Sequence, residues 1–313
     1  MMNEVIHTVN LSKHYGKVKA VERISLSVNK GQIYGFIGLN GAGKTTTIRM
    51  LLGMIRPTSG VAYINGEMVS GVNHHVWEKV GYLVEIPYAY PELTVRQNLS
   101  MVSKLRSISD RKAVSHTISQ LQLDSYADVK AGHLSLGNAQ RLGLAKAFLH
   151  QPSILILDEP ANGLDPAGIV EIRELLQDLA IKFGVTIFIS SHILGEMAKL
   201  ASRLGIIHNG RLLQEVDASQ LEVLLRKRLL LKAANRDQAM YILEEAGYRV
   251  GLDEAGVMEI HDTKAIKQPE AIASLLVYAD CPPTQLKIEE EDLESYFLRV
   301  IKEAGGVTDE KII

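Results

Sequence analysis

Apolar Ile24, Leu26 and Val28 alternate with Ser25, Ser27 and Asn29, the period of two expected of a half-buried strand. Asn29–Gly31 predicts a turn and Gln32–Ile37 a buried strand. A glycine-rich loop then leads into a helix from about Lys44 to Leu52. Pro57–Gly60 predicts another turn, and Val61–Ile64 a strand closed by the turn signal Asn65–Gly66. From about Thr94 to Leu149 the period becomes helical, with Val95, Leu99 and Val102 on one apolar stripe and Ala113, Ile118 and Leu121 on another. Ile154–Leu157 and Thr186–Ser190 are short continuous apolar runs, as in parallel strands covered on both faces, and a helix over Ile169–Phe183 connects them. Leu204–His208 and Arg211–Val216 flank Asn209–Gly210, a hairpin signal.

After about Leu225 the pattern changes. The basic cluster Arg226–Lys227–Arg228 precedes predicted strands at Leu229–Lys232 and Val257–His261, a helix over Arg236–Ala246 and an acidic helical tail over Glu289–Glu303. The expectation is a domain over 1–225 and a small C-terminal α+β domain over 226–313. No stretch nears the roughly 18 uncharged apolar residues that cross a bilayer. The longest candidates, Gly184–Gly195 and Ala147–Leu157, are shorter and carry His192 or His150. Glu4 comes early and no apolar h-region follows, so no secretory signal is predicted. Any membrane crossing must come from another polypeptide. With 46% apolar and 22% charged residues the composition is that of a globular chain, and the net charge of −2 offers no footprint for nucleic acid. The one cysteine, Cys281, cannot form an internal disulfide, which is compatible with a reducing cytoplasm.

Two segments carry chemistry. Gly38-Leu39-Asn40-Gly41-Ala42-Gly43-Lys44-Thr45 fits G-x-x-x-x-G-K-[ST] and falls between a predicted strand and a predicted helix. Glycines let backbone N–H groups curl around phosphates, and the helix N-terminus adds partial positive charge. Lys44 is then the residue to reach the β- and γ-phosphates, and the Thr45 hydroxyl to ligate Mg²⁺. The second segment is the apolar strand Ile154–Leu157, which ends in Asp158 and Glu159 and is closed by Pro160. Carboxylates at the C-terminal edge of such a strand lie where α/β sheets bind ligands. Asp158 would hold Mg²⁺, and Glu159 would deprotonate the attacking water as general base.

Between these two sites, Leu134-Ser135-Leu136-Gly137-Asn138-Ala139-Gln140-Arg141-Leu142 resembles the signature motif of ATP-binding-cassette (ABC) proteins, usually L-S-G-G-Q. Tyr15 matches the aromatic that stacks on adenine, Gly163-Leu164-Asp165 resembles the D-loop, and Ser191-His192 the H-switch. In order, these motifs cover residues 3 to about 216. The resemblance implies an α/β P-loop NTPase cassette, with a mixed-sheet core, an antiparallel β subdomain and a helical subdomain. It implies an ATPase whose two copies clasp two ATP molecules head to tail. Ser135 and Gly137 would then touch the γ-phosphate bound by the other copy, and a helix beginning at Asn138 would aim its amides there. His192 would steady the hydrolytic water, with Thr46 and Asp165 completing the nucleotide-binding set. Departures are Leu136 for the first signature glycine, Ala161 where threonine is common, and Glu85 at the usual glutamine of the Q-loop, Gly81-Tyr82-Leu83-Val84-Glu85-Ile86-Pro87. A carboxylate at 85 can ligate Mg²⁺ but adds negative charge beside a triphosphate.

The segment from Glu85 to Leu99 and the run Ala161–Gly168 are similar to the bacitracin and lantibiotic export branch, as is the tail Ile288–Leu298. That branch implies a cytoplasmic subunit, peripheral on the inner face of the cell membrane. It would act as a homodimer, or as a heterodimer with a related ATPase subunit, beneath a separate multi-span permease. The membrane partner is expected to touch Glu85–Arg106. Two other readings are weighed: a non-transport ABC ATPase acting on ribosomes or DNA, and a nucleotide-binding regulator that no longer hydrolyses. One cassette without sustained heptads argues against the former, and Glu159 with His192 against the latter.

Overall fold

The computed structural model describes residues 4–70, 75–85, 87–253 and 255–305. Residues 1–3, 71–74, 86, 254 and 306–313 lie outside it, among them Ile86 of the Q-loop run and the end of the expected second domain. The chain divides into two compact units, one of Met1–Ser219 with the residues from Val300, the other of Gln220–Arg299.

The first unit begins with β1 (Glu4–Tyr15), β2 (Val18–Ile24), β3 (Ser27–Asn29) and β4 (Ile33–Ile37), then α1 (Lys44–Leu51) and the hairpin of β5 (Ser59–Ile64) and β6 (Glu67–Met68). β7 (Val80–Leu83) leads to three helices, α2 (Val95–Leu105), α3 (Ala113–Gln120) and α4 (Leu136–Phe148). β8 (Ile154–Asp158), α5 (Pro166–Phe183), β9 (Thr186–Ser191), α6 (Leu194–Leu200) and the hairpin of β10 (Arg203–His208) and β11 (Arg211–Asp217) follow.

Among the described residues, six strands form a mixed sheet in the order β11-β10-β4-β9-β8-β7, parallel except for β11. Every position of β4, β8 and β9 is buried, which is why these strands read as unbroken apolar runs. The antiparallel sheet β2-β1-β5-β6, with β3 also on β1, packs onto it. The shared core joins Ile6 and Leu11 to Phe36, Ile48, Ile156 and Phe188. Phe188 stacks on Tyr34 at 5.5 Å between ring centroids. Each such buried side chain contributes about 1.5–3 kcal/mol.

The structure corrects several boundaries. The alternation at Ile24–Val28 marks two strands, because β1 changes partner there. Thr8 Oγ1 bridges the break, donating to Ile24 O at 3.1 Å and accepting from Leu26 N at 3.0 Å. α5 starts at Pro166, three residues before the expected Ile169, because Asp165 Oδ1 caps it by accepting from Gly168 N at 2.9 Å. α4 starts at Leu136 and not at Asn138, with Ser135 as its cap.

Just beyond α4 sits a titratable group. One nitrogen of the His150 ring lies 3.1 Å from Val80 O, and a carbonyl only accepts, so that nitrogen (Nε2) carries the proton; Nδ1 is buried without a partner. Burial and the nearby Arg106 hold its pKa down, from the ordinary 6.5 to about 4. As pH falls below 6.5 the unfolded chain therefore takes up a proton that the folded chain refuses until about pH 4. His150→Gln, which can still donate to Val80 O, should lose less stability than the natural protein between those values. The difference should be on the order of 2 kcal/mol, allowing for partial exposure. Parallel Tm-versus-pH curves for the two proteins would exclude this account.

The second unit contains α7 (Leu221–Leu224), β12 (Lys227–Ala233), α8 (Arg236–Glu245), β13 (Val250–Leu252), β14 (Met258–Ile260), α9 (Thr263–Lys267), α10 (Pro269–Tyr278) and β15 (Pro283–Glu290), and α11 (Leu293–Glu303) follows. The sheet is antiparallel throughout, in the order β13-β14-β12-β15. This β-α-β-β-α-β succession is the split βαβ, ferredoxin-like arrangement. Leu229, Leu231, Met258 and Ile260 pack against Ala239, Leu243, Ile272 and Leu276 of the helices. The expected helical tail from Glu289 is corrected here. Glu289 lies within β15, opposite Arg228, whose guanidinium donates to it at 2.6 and 3.0 Å, and the helix begins only at Leu293. Among the described residues no helix is long and apolar enough to cross a membrane.

Candidate functional site

Three neighbouring parallel strands deliver the site. β4, β9 and β8 lie side by side with Ile37 opposite Ser191 and Asp158 opposite Ser190. The phosphate loop, His192 and the pair Asp158–Glu159 therefore leave the same sheet edge, where such sheets bind ligands. β7 lies beside β8 with Leu83 opposite Leu157, which carries Glu85 to that edge as well.

The loop is held from beneath. Gly38 N donates to Ser191 O at 3.2 Å, and Gly210 N to Ala42 O at 2.9 Å. Gly43, with φ 108°, caps α1, and a Cβ there would fall 2.5 Å from Ala20 O. Only glycine suits such a position. Asn40 and Gly41 form the exposed tip, whereas Lys44 is buried and its Nζ donates to Gly38 O at 2.5 Å and to Leu39 O at 3.2 Å. Lys44 Nζ also lies 3.0 Å from Glu159 Oε1, and His192 Nδ1 lies 2.6 Å from Glu159 Oε2. One carboxylate is thus held between the loop lysine and the strand-end histidine.

Asp158 is buried and accepts from the Ser190 hydroxyl at 2.6 Å, while the same hydroxyl accepts from Glu159 N at 3.0 Å. Ser190 was not singled out from the sequence; its signal was only its place just before Ser191-His192. A cavity of about 330 Å³ is lined by Thr45, Glu85, Asp158, Glu159, Gln140 and Asn162, among others. Two of its carboxylates, Glu85 at φ 62° and Glu159 at φ 49°, have left-handed backbones. Such strain in non-glycine residues costs about 1–3 kcal/mol and gathers at functional sites. The sequence also missed Arg49 of α1, which forms an ion pair with Glu85 and offsets the charge that glutamate adds there. Thr45, Glu85, Asp158 and Glu159 present hydroxyl and carboxylate oxygens to this cavity, the donor type that suits a hard divalent cation.

The remaining expected residues lie elsewhere on the unit. Ser135, Gly137 and Asp165 line a second cavity, of about 510 Å³, that shares only Leu136 with the first. Ser135 Oγ accepts from Asn138 N at 3.4 Å. A Cβ on Gly137 would meet nothing nearer than Leu164 Cδ2 at 3.9 Å, so nothing within this chain requires glycine at that position. Tyr15, at the end of β1, is half exposed, and Lys13 Nζ lies 5.2 Å from its ring centroid. Thr46 follows Thr45 in α1 and is partly exposed.

A phosphate loop, two acids and a histidine on one sheet edge, above a mixed sheet flanked by an antiparallel sheet and helices, define a P-loop nucleotide hydrolase. Comparison with known proteins narrows the class. The ABC transporter family profile matches residues 21–162. The bacitracin transport ATP-binding protein BcrA of Bacillus licheniformis is 40% identical over 98% of this chain and 99% of its own length. The lantibiotic transport ATP-binding protein SrtF of Streptococcus pyogenes is 36% identical over 71% of this chain and 96% of its own. A solved ATP-binding subunit of an ABC transporter superposes with a TM-score of 0.62 at 28% identity, over 70% of this chain and 92% of that one. The chain belongs to the ATP-binding subunits of ABC transporters, whose cassettes bind and hydrolyse ATP to power transport. Cassettes of this family dimerise and work with transmembrane subunits.

Proposed function

We propose that this chain energises the export of peptide antibiotics or related compounds through a separate multi-span permease, as a homodimer or paired with a related ATPase subunit. The names of the relatives support the cargo class, and the division of the site into two cavities supports the dimer. Lys44, Asp158, Glu159 and His192 meet on one face, whereas Ser135 and Gly137 line a different cavity of the same chain. A glycine with open space around it, at the start of a capped helix, suits close approach by an anion from outside the chain. Head-to-tail pairing brings that face to a nucleotide on the other copy.

In this reading the phosphate-loop amides and Lys44 bind the triphosphate and Tyr15 stacks on the base. Glu159 takes the proton of the attacking water, and His192, already hydrogen-bonded to Glu159, orients it. Magnesium, when bound, neutralises phosphate charge, and Thr45, Asp158 and Glu85 are the residues to hold it. Asp165 contributes at the dimer face through the loop that caps α5. Hydrolysis removes the γ-phosphate bridge and lets the copies part. The Glu85–Arg106 segment passes this movement to the permease, which places the subunit on the cytoplasmic face of the cell membrane. The test is the sedimentation of the purified chain with Mg²⁺ and a non-hydrolysable ATP analogue. A nucleotide-dependent dimer is expected, and a chain that binds the analogue yet stays strictly monomeric ends this reading.

A further inference from the structure

β9 brings a serine hydroxyl up against both acids of the reacting centre. Ser190 is fully buried and lies opposite Asp158 across the parallel pairing of β8 and β9. Its hydroxyl donates to Asp158 Oδ1 at 2.6 Å and accepts from Glu159 N at 3.0 Å. That polarity is forced. A hydroxyl has one proton and a backbone amide can only donate, so the proton goes to the carboxylate. Among the described residues no other group donates to the Asp158 side chain.

The bond to Glu159 N holds a backbone that would otherwise relax. Glu159 sits at φ 49°, in the left-handed region that non-glycine residues rarely adopt. Its carbonyl accepts from Asn162 N at 3.0 Å, and Lys44 and His192 hold its two carboxylate oxygens. Ser190 takes the amide. Ser190 and His192, two positions apart at the end of β9, therefore grip the same residue from its two ends. Without the hydroxyl the amide has no acceptor, the backbone can return to an ordinary φ, and the carboxylate moves with it. A displacement of about 1 Å at a reacting group can cost about a hundredfold in rate.

A buried strand hydroxyl commonly satisfies itself on the backbone, as the equally buried Thr8 does on Ile24 O at 3.1 Å. Ser190 instead gives its proton to a carboxylate of the site. From this arrangement we infer that Ser190 is a positioning residue for hydrolysis. One hydroxyl aims the Asp158 carboxylate and fixes the backbone that carries Glu159, and so sets the two acids relative to each other. The inference rests on the roles proposed above for Asp158 and Glu159.

The test uses the full-length chain. S190A should lower turnover at saturating Mg-ATP at least tenfold. Its affinity for ATP in EDTA should stay within about twofold of the natural chain, because the phosphate loop and Lys44 are untouched. With Mg²⁺ its affinity should fall at least threefold, because Asp158 is no longer aimed. A merely loosened site would weaken both affinities alike, and that result overturns the proposal. S190T and S190V give one shape and differ by a hydroxyl. Provided both melt near the natural chain, S190T should turn over ATP at least fivefold faster, and equal rates also overturn it. In single-turnover assays E159Q/S190A should stay within about threefold of E159Q, since both changes act on one step. A further tenfold loss there shows that Ser190 does not act through Glu159. Turnover by S190A at the natural rate overturns the Ser190 proposal alone. Turnover by E159Q at the natural rate overturns instead the reading of Glu159 as base, on which the proposal stands.

Discussion

Glu159→Gln should lower ATP turnover at least tenfold, and on the order of a hundredfold, while leaving nucleotide affinity within a few-fold of the natural protein. The amide matches the carboxylate in size and can still accept from His192, whose Nδ1 stands 2.6 Å from Glu159 Oε2. It cannot take a proton from water. The 3.0 Å contact with Lys44 loses its charge, which releases the ammonium toward an incoming phosphate and favours binding. Slow turnover with intact binding should therefore gather the protein in its nucleotide-bound dimer. A phosphate-release assay beside an equilibrium binding measurement separates the two effects. Turnover at the natural rate removes Glu159 as the base.

The second large effect belongs to Lys44. Its side chain is 6% exposed, its ammonium donates to two loop carbonyls, and Glu159 faces it from just beyond β8. Lys44→Met keeps most of the volume and none of the charge. Affinity for Mg-ATP should fall at least tenfold, about 1.4 kcal/mol, because a charge-assisted contact to phosphate has no replacement. The fold should tolerate the change, since His192 still partners Glu159 and the loop keeps its backbone bonds to Ser191 and Gly210. Calorimetric titration gives the affinity, and a thermal melt guards against misfolding. Binding as tight as that of the natural chain would show that the phosphates are held without this ammonium.

These sites were legible because their signals are local. The glycine spacing and the Lys44-Thr45 pair lie within eight consecutive positions, and the strand before Asp158 ends in its own acids. Burial of every residue in β4, β8 and β9 erased the alternation but left unbroken apolar runs that carry the same message. What escaped is set by sheet order. Nothing near Glu85 announces that β7 lies beside β8, or that Arg49, 36 positions away, neutralises it. The split of the signature residues into a cavity of their own is likewise a product of packing. In the second unit, β15 and α10 went unread, although Leu286 and Ile288 already sit at strand spacing after Pro283. The acidic run from Glu289 outweighed that signal, although Glu289 and Glu290 find Arg228 and Lys227 on the neighbouring strand.

The Asn209–Gly210 turn reaches well beyond its own hairpin. Its glycine amide grips the Ala42 carbonyl, and its carbonyl accepts from Glu22, so the turn buttresses the anion cradle from behind. The cradle is accordingly moulded before any ligand arrives, and little ordering entropy is forfeited on docking. Affinity that a floppier receptacle would dissipate in shaping itself stays available for drawing the second copy into place.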